Sequence, residues 1–90
     1  MNLNEKLVES MGLVDFSDMK VPSIVVYDHP ADHPESYVAR VWEMIGSLPT
    51  NTFIKRNSLQ EIREDIQSAG FTFCMSRKAK DDPVIVETWM

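Results

Sequence analysis

Ninety residues with 43% hydrophobic and 26% charged side chains suffice for one small globular domain, residues 1–90, and are too apolar for a disordered chain. The formal net charge of −5 arises within residues 1–35, where seven acids face Lys6 and Lys20, whereas residues 36–90 balance seven acids against seven bases; an acidic chain argues against broad nucleic-acid binding, which needs clustered cations. A lone cysteine, Cys74, leaves no internal disulfide, no apolar run approaches the roughly 20 residues of a membrane span, and MNLNEKLVES lacks the apolar segment of a signal peptide, so a cytoplasmic protein is expected.

The first predicted element is a helix over NLNEKLVESMG. Leu3, Leu7, Val8 and Met11 share a face at helical spacing, Asn2 and Glu5 fit an N-cap and its partner, and Gly12 fits the stop. LVDFSDMK reads as irregular, held to the core by Val14, Phe16 and Met19. PSIVVY is a short buried strand with Pro22 at its start, and YVARVWEMI is the next and longest. GSLPTN then reads as a hairpin loop returning through the strand TFIKR.

NSLQEIREDIQSAGF carries the sharpest local signal. Ser58 and Glu61 form an S-x-x-E capping box, Leu59, Ile62, Ile66 and Ala69 form one apolar stripe, and Gly70 sits where a left-handed C-cap belongs. FTFCM and PVIVETWM complete the chain as strands. The order αβββαββ predicts an α+β fold: about five strands in a mostly antiparallel sheet, with two helices on one face. The hairpin, helix and strand of the middle portion resemble the layout of HicB-type antitoxin domains and of double-stranded-RNA-binding domains over about half the chain. The glycine- and proline-rich strand signature of those antitoxins is missing, and a shared layout carries no function.

The segment YDHPADHPESY holds both histidines. His29 and His33 are four apart, as zinc ligands on a helix are. Pro30 and Pro34 forbid a regular helix there, and His-Pro-Ala-Asp fits a type I turn with Asp32 leading into a short cap. A connecting turn is expected, with no metal. Cys74, between Phe73 and Met75, reads as a small core side chain and not a nucleophile. Ser58 is explained by capping, and three glycines, at 12, 46 and 70, make no phosphate loop. Neither catalytic residues nor a cofactor are expected.

Two sets of residues stand apart. Lys55, Arg56, Arg77, Lys78 and Lys80 follow TFI and FTFCMS. Were those strands parallel, these cations would gather at one sheet edge beside the helix start and form an anion site. The second set rests on strand alternation, which places Arg40 with Trp42 and Glu87 with Trp89. If the helices cover the side bearing Ala39, Val41, Val84 and Val86, then Arg40, Trp42, Glu87 and Trp89 form an exposed patch, Arg40 pairing with Glu87. The expected function is a small interaction module without catalytic activity, binding a protein partner or itself as a homodimer. The alternatives are an anion or nucleic-acid binder using the basic set and, third, a metal-dependent enzyme using the histidines.

Overall fold

The computed structural model describes residues 5–78 and 81–90. The fold is α+β. Six strands, β1 (Lys6–Leu7), β2 (Pro22–Asp28), β3 (Tyr37–Glu43), β4 (Leu48–Arg56), β5 (Cys74–Ser76) and β6 (Ile85–Trp89), form one sheet in the order β1-β4-β3-β2-β6-β5. The β1–β4 pair is parallel and every other pair antiparallel, so the sheet is mixed. Among the described residues one α-helix, α1 (Leu59–Ser68), packs on it.

α1 forms for the local reasons read from its sequence. The Ser58 hydroxyl accepts the Glu61 N–H at 3.2 Å, and the Glu61 carboxylate accepts the Asn57 N–H at 3.3 Å. The helix ends where Ala69 and Gly70 donate to Ile66 and Gln67, Gly70 taking φ 99°. Its stripe places Ile62 and Ile66 fully in the core, with Leu59 and Ala69 beside them. Each such isoleucine contributes roughly 1.5–3 kcal/mol by leaving water.

Among the described residues the predicted first helix is not formed. Its residues 2–4 lie outside the described residues. Lys6–Leu7 instead pair alongside Thr52–Phe53, and Val8 N–H donates to the Phe53 carbonyl at 2.9 Å. The outer edge of β4 offers unpaired backbone groups, which outweigh a weak local helical pattern. A 3-10 turn at Met11–Leu13 follows, N-capped by Ser10. It is fastened to α1 through Asp65, whose carboxylate accepts Ser10 Oγ and Met11 N–H, each at 2.8 Å, and pairs with Arg56 at 3.2 Å. One helix and this segment, with Val14, Phe16 and Met19 against the core, thus cover the face assigned to two helices.

The β3–β4 hairpin is longer than predicted. Its turn is Met44–Ser47, with Gly46 at φ 84° and Ser47 at φ 52°, and Leu48–Asn51 already belong to β4. Pro49 is tolerated because β1 pairs with β4 only at Thr52 and Phe53, leaving the outer side beside Pro49 without a strand. A bulge opposite Val41 is closed by Thr50, whose hydroxyl donates to the Val41 carbonyl at 2.7 Å.

Candidate functional site

The core lies on one side of the sheet. Ile24 and Val26 of β2, Ala39 and Val41 of β3 and Ile54 of β4 meet Ile62, Ile66 and Phe71 there. Alternation then sends Ser23, Val25 and Tyr27, Val38, Arg40 and Trp42, and Phe53 to the other face. Among the described residues no helix lies over that face; the 29–36 loop shields its β4 side, the His33 ring standing 5.0 Å from that of Phe53.

The predicted patch of four does not form. Arg40 and Trp42 are on the face away from α1 as expected but are only partly exposed, the Arg40 side chain 13%, and Glu87 and Trp89 are inside, each only 4% exposed. β2 separates β3 from β6, so Arg40 and Glu87 are neither neighbours nor on one face. A bulge in β6 at the Val26–Tyr27 register shift breaks the simple alternation: Ile85 stands opposite Tyr27, while Glu87 stands opposite Val26. The buried carboxylate is satisfied. Arg63 of α1 donates to it at 3.0 and 2.7 Å, and the Trp89 indole N–H at 2.7 Å. Burial pushes Glu87 upward in pKa, but the bonds from Arg63 and Trp89 outweigh it and hold the carboxyl below its usual 4.5.

Around Trp42 the open face is hollowed twice. One hollow, about 250 Å³, lies between Tyr27, Pro30, Asp32, Arg40, Trp42 and Pro49, with Val38 at its base. The other, about 160 Å³, lies between Val25, Trp42, Met44, Asp81, Ile85 and Thr88. Trp42 is a wall of both. Its indole N–H donates to the Tyr27 hydroxyl at 3.0 Å, so the phenol hydrogen is left to donate elsewhere. Burial pushes the Tyr27 phenol upward in pKa; the Trp42 bond and Arg40 oppose this, and Asp32 and Asp82 add to it. Arg40 is already engaged: it bonds Glu5 at 3.0 and 3.2 Å and the Thr50 carbonyl at 3.0 Å, and lies 4.9 Å over the Phe53 ring. Ser23, opposite Trp42 in the ladder, has a buried hydroxyl without a partner among the described residues.

The basic set does not gather. β4 and β5 run in the same direction, but three strands lie between them, a separation of roughly 19 Å at about 4.8 Å per strand. Lys55 pairs with Glu35 at 2.8 Å and Arg56 with Asp65, while Arg77 and Lys78 sit beyond β5. Lys80 lies outside the described residues. The α1 N-terminus is occupied by the chain's own Glu61.

The histidine segment is a connection between β2 and β3. Its first turn closes from His33 N–H to the Pro30 carbonyl at 2.9 Å, one residue later than the expected His-Pro-Ala-Asp turn, and a second closes from Ser36 to His33. Asp32 is the third residue of the first turn and its side chain lines the larger hollow. The rings diverge: His29 lies 4.9 Å from Tyr37 and contacts Asp28, while His33 lies on Phe53. Among the described residues, no three His, Cys, Asp or Glu side chains converge as metal ligands. Cys74 is exposed at the sheet edge and not in the core; partial burial and the nearby Glu87 charge push its thiol up in pKa, away from the reactive thiolate.

Tyr27 was not singled out from the sequence, and Asp32 only as a turn residue. Alternation within PSIVVY places Tyr27 with Val25, and a turn after it brings Asp32 over the same strand, a signal available only once the β2–β3 pairing is assumed. No helix among the described residues is long and apolar enough to cross a membrane. No protein-family model, curated protein or solved structure matches the chain.

Proposed function

We propose that this chain is a small cytoplasmic interaction module that takes a segment of a protein partner on the open face of its sheet, without catalysis. The observation that carries the reading is the position of Trp42 as the shared wall of two hollows on the face away from α1. Aromatic side chains in desolvated hollows are where binding energy concentrates at protein interfaces. Each hollow is smaller than the usual 300–1,000 Å³ of small-molecule sites, which suits one partner side chain apiece better than a cofactor. The exposed free thiol of Cys74 fits a reducing compartment.

The test is selection of a random peptide library on the immobilised protein, followed by amide-shift mapping of the enriched peptides. Peptides that shift residues 25, 27, 42 and 88, and bind Trp42→Ala at least tenfold more weakly, support the reading. Peptides that map only to α1 or the strand edges overturn it.

A further inference from the structure

The larger hollow has a chemistry of its own, and its assignment rests on the reading of the open face as a partner site. Two aromatic walls, Trp42 and Tyr27, are locked together by their hydrogen bond. Pro30 and Pro49 supply further rigid apolar surface. The one acid among the described lining residues, Asp32, has a side chain 63% exposed, with the His33 ring 3.9 Å away. The one cation in the lining, Arg40, has its charge met by Glu5 and is only 13% exposed. With Arg40 paired to Glu5, Asp32 is the acid of the lining that has no cation bonded to it among the described residues, although Arg40 still opposes Asp32 and Asp82 at the Tyr27 phenol.

Aromatic faces attract cations through the ring quadrupole, and a carboxylate at the rim adds direct attraction. An anionic ligand would meet Asp32 and find Arg40 already bonded. A purely apolar side chain would fill the space but gain nothing from the Asp32 carboxylate. We infer that the hollow between Trp42, Tyr27 and Asp32 receives a lysine or arginine side chain of the partner, its aliphatic stem along Pro30 and Pro49 and its charged head between the indole and the carboxylate. About 250 Å³ accommodates one such side chain.

The experiment titrates the ¹⁵N-labelled full chain with N-acetyl-lysine-amide and N-acetyl-arginine-amide, against N-acetyl-norleucine-amide and N-acetyl-glutamate-amide, following the Trp42 indole N–H and the Asp32 amide. The cationic probes should shift both signals in a saturable way, and the neutral norleucine probe should bind about fivefold more weakly. Asp32→Asn, at an exposed turn where folding is not at stake, should lose that preference, and raised salt should weaken the cationic probes alone. Equal binding of lysine and norleucine probes, or an Asp32→Asn variant that keeps the preference, overturns the cation assignment while leaving the open-face reading intact. If no probe shifts Trp42, the cation assignment also fails. If the peptide selection in turn finds nothing on this face, the open-face reading fails with it.

Discussion

Trp42 and Trp89 occupy opposite faces of one sheet, and each has donated its indole N–H to a neighbour. Trp89 gives its hydrogen to Glu87, whose oxygens are also met by Arg63, in a site 4% exposed at both Trp89 and Glu87. Trp42 gives its hydrogen to Tyr27, whose hydroxyl hydrogen has no acceptor among the described residues, and stands between two hollows. A charge inside the core is tolerable when every polar atom has a partner. On the open face the same types of group are left with capacity to spare. The difference separates a structural tryptophan from a candidate binding one.

The comparison breaks first where the closed face is emptied. Ile66→Ala, at a fully buried stripe position, should cost about 3–4 kcal/mol in urea unfolding, within the range for buried isoleucine truncation. Against a total of about 5–13 kcal/mol for a chain this size, that loss is large. Glu87→Ala should cost about 2–3 kcal/mol, because it leaves the buried Trp89 indole N–H unpaired. The loss stays below that of a fully buried ion pair because the Arg63 side chain, 46% exposed, can turn to water. A Glu87 effect under about 0.5 kcal/mol would show that the pair contributes nothing to the closed face.

Acid sharpens the same contrast. Glu87 has a folded pKa held below 4.5 despite burial, by Arg63 and Trp89. A depressed carboxylate contributes stability that is fully present above the unfolded value and is lost as pH falls through the folded one. The stability gap between wild type and Glu87→Gln should therefore be widest above pH 4.5 and narrow as pH falls below it. A gap that is constant on acidification would contradict the pairing. At the helix start, Ser58→Ala should cost about 1 kcal/mol, read as a lower denaturation midpoint at unchanged slope.

α1 was legible because everything that makes it is local: cap, stripe and left-handed glycine fall within residues 58–70. The first helix was misread because the competing partner, the outer edge of β4, lies more than forty residues away in sequence. The hairpin turn was placed late because Pro49 reads as a loop residue, whereas it sits in β4 where the outer side has no partner strand. β3 alternation correctly separated Ala39 and Val41 from Arg40 and Trp42. β6 alternation failed for two reasons: a bulge interrupts it, and Glu87 was assigned outward as a charge although Arg63, 24 residues earlier, accompanies it inward. β4 and β5 do run in the same direction, the condition set for the anion site, but gathering the cations also needs adjacency, and strand order is not encoded in any local pattern.

The smallest expected effect is on the open face itself: Trp42→Phe should change stability by less than about 1 kcal/mol, and it assigns the Trp42 ring signals. The most direct measurement is then the response of both indoles in the wild-type chain to a soluble paramagnetic probe. Trp42 ring resonances should broaden strongly in dilute protein while those of Trp89 stay sharp until the chain unfolds. Equal protection of both rings would mean that both faces are closed, and would contradict the account.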